Sequence, residues 1–127
     1  MGSQQLMLLI VGTLMIGLIV SVGINMFVDN AISSNRDAVA NDLVALASRA
    51  QVYQKKPKCL GGGGGSFQGF TLPNSSKNAN GTFSVPGVTY SAVTIEGIGN
   101  EIGFDQATNV KVTVTVAADT ISVAEVN

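Results

Sequence analysis

Few residues of this 127-residue chain could do chemistry, and carboxylates are the main group among them. Glu96, Glu101 and Asp105 lie close together in the sequence. Two carboxylates can act as an acid and base pair, and several can hold calcium. Their spacing does not match an EF-hand loop, and the glycines between them indicate turns. We therefore expect neither chemistry at these residues.

The remaining inventory excludes most catalytic mechanisms. The chain has no histidine and one cysteine, Cys59. Intrachain disulfides, Cys/His zinc sites and Ser-His-Asp or Cys-His catalysis are therefore excluded. The net charge of -1 gives no general attraction for phosphates, so we expect no direct nucleic-acid binding. We expect no enzymatic activity and no cofactor.

The glycine run from Gly61 to Gly65 raises the question of phosphate binding. A phosphate-binding loop needs a strand before it and a GK[ST] sequence after it, whereas Ser66 and Phe67 follow this run. We expect instead a loop whose backbone lies close against a helix or a neighbouring subunit. Cys59, just before the run, is expected to be a packed or unreactive thiol, with intermolecular pairing and lipidation as alternatives.

The first element that must position any site is an apolar segment from Leu6 to Val28. Seventeen of its 23 residues are large and apolar, and no charged side chain precedes Asp29. As a helix it would be about 35 Å long, enough to cross a hydrocarbon layer of about 30 Å. Leaving these side chains in water would cost about 25–50 kcal/mol, against a net domain stability of about 5–15 kcal/mol. The segment is therefore predicted to lie in a bilayer or against copies of itself.

The helical pattern continues without Gly or Pro until Pro57, so we predict one helix from about Gln4 to Gln54. It divides into a hydrophobic part, residues 3–28, and an amphipathic part, residues 29–56. The predicted apolar face comprises Val28, Ile32, Val39, Leu43, Leu46, Ala50 and Tyr53. The predicted polar side comprises Arg36, Asp37, Asn41, Asp42 and Arg49.

A row of small or polar residues runs along the hydrophobic part at i, i+4 spacing. Such a row lets helix backbones approach closely, which favours helix–helix contact; the alternative is that Gly and Ser are merely tolerated in membrane helices. The row consists of Thr13, Gly17, Ser21 and Asn25.

Residues 57–87 are predicted to form a Gly-rich and polar loop region, with a short strand or two around Phe67–Leu72 and Gly81–Val85. Asn74 and Asn80 begin two sequons in its most polar part. They are candidate glycosylation sites, and a plain solvated loop is the alternative.

From Val88 onward the hydrophobic period changes to two. Residues 88–95 alternate, Val110 to Val116 alternate cleanly, and Ile121 to Glu125 close the chain. We predict that residues 88–127 form an antiparallel meander of about four strands with one face packed on the amphipathic helix. The predicted fold class is α+β.

These features together resemble a type IV pilin, in the superfamily that includes archaeal pilins, archaellins and pseudopilins. The resemblance is closest over residues 1–60, where a minimal leader ending in Gly2 precedes a charge-free apolar helix with an amphipathic continuation. Beyond residue 60 the chain resembles the family in its architecture only. It implies a pilin-like fold and a precursor held in the inner membrane. Pilus assembly machinery would then transfer the subunits into an extracellular homopolymer, a helical filament with the apolar helices in its core.

Prepilin peptidases of this family cut after a glycine, so the resemblance implies that residues 1–2 are a leader and that Ser3 begins the mature chain. Family leaders usually carry Lys or Arg before the glycine, whereas only Met1 precedes Gly2 here. Most bacterial members have a glutamate at the fifth mature position, which is Met7 here. An expression scar at the N-terminus is the alternative for Met1 to Ser3.

Gln4 and Gln5 follow the predicted cleavage position. They are expected to meet the N-terminal amine of a neighbouring subunit through neutral hydrogen bonds, which avoids the desolvation of an ion pair. The alternative is that they are polar residues at a helix start.

The expected function is therefore that of the structural subunit of a pilus-like filament at the cell surface. The alternatives are a pseudopilin or minor pilin of a secretion or pilus machine, and a monomeric membrane-anchored binding module. Charge adds one clue, because all five charged residues from Arg49 to Lys77 are basic, whereas Lys111 is the one base among five acids from Glu96 onward. Oppositely charged regions suit head-to-tail contacts, and a solvated surface is the alternative.

Overall fold

The computed structural model describes residues 2–72 and 76–127. Helix α1 spans Gly2–Lys55, and a short 3-10 helix spans Lys58–Leu60. Four strands follow, namely β1 (Gly81–Val88), β2 (Ala92–Ile102), β3 (Asn109–Ala117) and β4 (Ile121–Glu125). The chain divides into two compact units, with the boundary inside α1 between Ala31 and Ile32. We call residues 2–31 the N-terminal segment and residues 32–127 the C-terminal unit.

The four strands form one antiparallel sheet in the order β1-β2-β3-β4. Each strand pairs with its neighbour in sequence, so the sheet is a meander. The predicted α+β fold, with a long N-terminal helix and a small antiparallel sheet, is confirmed. The sheet begins at Gly81 rather than at Val88, and its first strand confirms the short strand predicted around Gly81–Val85.

The core of the C-terminal unit lies between one face of the sheet and the amphipathic part of α1. Strand β3 contributes every second residue, because successive side chains of a strand point to opposite faces. Buried core residues of the sheet include Phe83, Val93, Ile95, Val110, Val112, Val114 and Val116. Those of the helix are Ile32, Val39, Leu43, Leu46, Ala47 and Ala50. The predicted apolar face is therefore the packed face from Ile32 onward, whereas Val28 is exposed.

Gly97 in β2 lets the helix approach the sheet. A Cβ atom at this position would lie 2.7 Å from Val39 Cγ1 and 3.1 Å from Leu43 Cδ1. No side chain fits between the two layers there. This glycine therefore belongs to the packing of the core.

Two charged residues of the predicted polar side of the helix are half-buried. Arg36 contacts Glu125 of β4, and Asp42 accepts hydrogen bonds from Asn78 and Asn80. Both lie at the border of the packed face, where other elements reach the helix. The predicted polar side of the helix therefore includes two residues, Arg36 and Asp42, that contact the rest of the C-terminal unit.

The alternation of residues 88–95 does not form one strand. Val88 ends β1, and Ala92 begins β2. Between them Thr89 closes a tight turn, since its amide donates to the Ala92 carbonyl at 2.8 Å and its hydroxyl donates to the same oxygen at 2.9 Å. The Thr89 hydroxyl closes this turn without Gly or Pro, so the sequence pattern gives no turn signal here.

The strand predicted around Phe67–Leu72 is also absent from the described residues. Phe67 and Phe70 are buried in the core, but the Phe70 amide donates to the Phe67 carbonyl in a turn. Gly69 has a φ of +83° there, a conformation that ends any extended run. These aromatic residues anchor a loop to the core.

Candidate functional site

The N-terminal segment presents a continuous apolar surface. All 17 large apolar side chains from Leu6 to Val28 are exposed, from 51% at Val28 to 78% at Phe27. Helix α1 is long and apolar enough to cross a bilayer, a property that membrane anchors share with signal sequences. The segment therefore requires either lipid or protein around it.

The predicted row of small and polar residues lies on this surface, and all four members are exposed. Thr13 Oγ1 donates to the Ile10 carbonyl at 2.9 Å, and Ser21 Oγ donates to the Gly17 carbonyl at 2.9 Å. Their hydroxyl donors are thus satisfied inside the helix, as apolar surroundings require. A Cβ atom at Gly17 would meet nothing within 4 Å in this chain, so the gap on the helix surface is open to a neighbour.

The row drifts around the helix, because each i+4 step turns by about 40°. Gly12 lies about 140° away from Gly17 around the axis. A Cβ atom at Gly12 also meets nothing within 4 Å. Gly12 and Gly17 are thus equally open, one on the opposite side of the helix and one in the row.

The residues assigned to processing and subunit contact lie at the start of α1. Gly2, Ser3, Gln4 and Gln5 are helical and exposed. The first turn contains no acidic residue. The structure places these residues together at one helix end, and their predicted roles stay predictions.

The glycine run closes the other end of α1. The amides of Gly63, Gly64 and Gly65 donate to the carbonyls of Tyr53, Lys56 and Gln54 at 2.7–2.9 Å. These carbonyls belong to the last turn of a helix and the residue after it, the negative end of its dipole. The backbone donors are therefore used and face negative partial charge, so this loop does not form a phosphate site.

Cys59 and Asn80 have different surroundings. Cys59 is exposed in the 3-10 helix, so the expectation of a packed thiol is wrong, and an unreactive thiol stays a prediction. Asn80 is half-buried, and its Nδ2 donates to Asp42 Oδ2 at 2.8 Å, which gives this amide a structural role. Its glycosylation stays a prediction, and Asn74 lies outside the described residues.

Two of the three acids singled out by spacing have separate roles, and the third, Glu101, is exposed. Glu96 forms an ion pair with Lys111 at 2.9 Å across β2 and β3. Asp105 accepts hydrogen bonds from the Thr108 hydroxyl and from the amides of Thr108 and Ala107. The hydrogen bond from the Thr108 side chain is the main cause that lowers the pKa of Asp105 well below its ordinary value. Within residues 2–72 and 76–127, no three metal-ligating side chains are grouped.

A cluster around Arg36 was not predicted. Its Nη1 lies 3.3 Å from Glu125 Oε2, and its guanidinium carbon lies 4.8 Å from the centre of the Phe104 ring. The partners come from β4 and from the loop after β2, 89 and 68 positions along the chain. No local pattern connects residues so far apart, so the sequence carried no signal for this contact.

Comparisons of the chain with family models, with curated proteins and with solved structures give no match.

Proposed function

We propose that this chain is the structural subunit of a type IV pilus-like extracellular filament, which polymerises through its N-terminal segment. One observation carries the proposal, namely the unbroken exposure of the 17 apolar side chains between Leu6 and Val28. At about 1.5–3 kcal/mol for each buried side chain, this surface supplies a large driving force for association. The C-terminal unit has its own hydrophobic core.

The mechanism follows from the two environments that such a helix accepts. Before assembly, the segment lies in the inner membrane, where its satisfied hydroxyls and apolar side chains are stable. In the filament, the same surface packs against helices of neighbouring copies. The row from Thr13 to Asn25 lets these helices approach closely, because glycine and short side chains leave room for a partner backbone.

A prepilin peptidase cut after Gly2 and a contact of Gln4 and Gln5 with a neighbour's amine belong to the same proposal. Both depend on the resemblance described above and on the exposure of these residues. Mass spectrometry of the mature N-terminus tests the cut, since the proposal requires Ser3 as the first residue.

A monomeric membrane anchor is the second candidate. The hydrogen bonds of Thr13 and Ser21 to their own helix favour it, because they let the segment lie in lipid without a protein partner. In this case the protein stays monomeric in detergent, and no filament forms. A pseudopilin or minor pilin would be scarce in purified filaments.

Electron microscopy of material sheared from producing cells tests the proposal. We expect filaments in which mass spectrometry finds this chain almost alone. Gly17→Leu is expected to abolish them while membrane insertion continues, because a leucine side chain closes the gap in the row. Cells that produce the wild-type chain without filaments contradict the proposal.

Gly12→Leu is the matched control for this variant. It makes the same change of volume, hydropathy and helix propensity on the opposite side of the helix. We expect at least half of the wild-type filament yield. Equal effects of the two variants would contradict the assignment of the row.

A further inference from the structure

The C-terminal unit has two ends of opposite charge. Arg36 and Lys55 lie about 28 Å apart along α1, at 1.5 Å per residue. The loop after β2 lies at the Arg36 end, since the Glu101 amide donates to Asn35 Oδ1 and Phe104 lies against Arg36. The glycine run and the β1–β2 turn lie at the Lys55 end, because Gly65 donates to Gln54 and Phe67 donates to Tyr90.

We call the first of these the acidic end. Its exposed carboxylates are those of Glu101 and Asp105, and the hydrogen bonds to Asp105 keep that group charged. Glu125 is balanced by Arg36. Between these charges lie three large apolar side chains that are about half exposed or more. These are Ile102, Phe104 and Val126, at 55%, 47% and 61%.

We call the second the basic end. Lys55, Lys56 and Lys58 are all exposed there. The turn after β3, which contains Asp119, lies near this end, since the Ala117 carbonyl accepts a hydrogen bond from Gln51 Nε2. Two exposed apolar side chains accompany the lysines, namely Leu60 at 63% and Tyr90 at 64%.

We propose that the basic end of one copy binds the acidic end of the next copy in the filament. Each end combines exposed apolar side chains with an excess of charge of one sign, negative at the acidic end and positive at the basic end, so the two ends are complementary. Complementary charge at the rim with apolar contact at the centre is the usual composition of a protein interface. The contact joins two different surfaces of the same chain, so it does not close on itself and continues along an open assembly.

This contact rests on the proposed function, since it joins neighbouring copies of the filament. It adds a second interface, outside the core of packed helices. It also gives the charges a role in the order of the subunits, because reversed copies would place like charges opposite each other.

The natural cysteine provides the test, because Cys59 lies at the basic end and is exposed. Ile102→Cys adds a second thiol at the acidic end. Filaments of this variant are treated with a short bismaleimide and analysed by denaturing electrophoresis. We expect a ladder of covalent multimers, at least fivefold above wild-type filaments, because each copy is linked to the next through Cys59 and the new thiol.

Ser84→Cys is the matched control. Ser84 is exposed and pairs with Glu96 near the middle of the sheet, away from both ends. We expect no ladder above the wild-type level from it. If Ile102→Cys prevents assembly, Val126→Cys at the same end is analysed in its place.

The outcomes separate the two proposals. Wild-type cells without filaments overturn the proposed function and this contact with it. Filaments of the acidic-end variants that give no ladder overturn the contact alone, as does an equal ladder from Ser84→Cys. If the basic end binds anionic lipid instead of a second copy, no ladder forms, and the contact is overturned.

Discussion

The two parts of α1 differ in what surrounds them, although both are continuous helix. In the N-terminal segment the hydroxyls of Thr13 and Ser21 bind carbonyls of their own helix. In the C-terminal unit Asn35, Arg36 and Asp42 contact residues of other elements. Every leucine and valine of the first part is exposed, whereas Val39, Leu43 and Leu46 of the second part are buried. Helix formation and burial are therefore separate requirements, and only the second part of α1 meets both within one chain.

The largest expected effect comes from the same substitution in the two parts. Leu43→Ala is expected to lower the free energy of unfolding of the C-terminal unit by about 2–5 kcal/mol, because it leaves a cavity in the core. Leu14→Ala, at a side chain that is 64% exposed, should change it by less than about 0.5 kcal/mol. Denaturant titration of the full chain in detergent, followed by tyrosine fluorescence, measures both. Equal losses would show that the segment is part of the same core.

A smaller effect is expected from the close approach at Gly97. Gly97→Ala should lower the free energy of unfolding by about 1–3 kcal/mol, because its Cβ would press on Val39 and Leu43. Gly87→Ala in β1 is the control, since its Cβ meets nothing within 4 Å, and it should change the value by less than about 0.5 kcal/mol. The same titration measures both variants. A neutral Gly97→Ala would contradict the tight contact between helix and sheet.

The smallest effect concerns a polar contact. Asp42→Ala should lower the free energy of unfolding of the C-terminal unit by about 1 kcal/mol. The reason is that Asn78 and Asn80 both donate to Asp42 Oδ2 at 2.8 Å and would lose this acceptor. Asp37→Ala, at an exposed position of the same helix, should cost less than about 0.5 kcal/mol. Thr13→Val is expected to leave the unfolding of the C-terminal unit unchanged. A cost at Thr13 equal to that at Asp42 would contradict the separation of the two parts.

The sequence predicts the elements whose pattern is local and unbroken. Helix α1 lacks Gly and Pro from Ala31 to Gln54, and β3 alternates without a break from Val110 to Val116, so both were predicted closely. The turn at Thr89 was missed, because its closing group is a hydroxyl that is also common in strands. The sequence predicts a strand around Phe67 where the structure has a loop, because aromatic residues occur both in strands and in buried loops.

The candidate site is predictable to the same extent. The apolar surface and the row from Thr13 to Asn25 follow from spacing along one helix, which a single sequence contains. The two ends of the C-terminal unit do not follow from such spacing, since Glu101 and Asn35 become neighbours only through the meander. Contacts of this kind depend on the register of strands that the sequence separates widely.

The closure of α1 by the glycine run has a chemical consequence. Its donors are peptide nitrogens of Gly63, Gly64 and Gly65, and its acceptors are peptide oxygens. Peptide groups neither ionise nor become oxidised under ordinary conditions, unlike an aspartate cap or a disulfide. Acid, high salt and dissolved oxygen should therefore all leave the hydrogen bonds that close α1 intact.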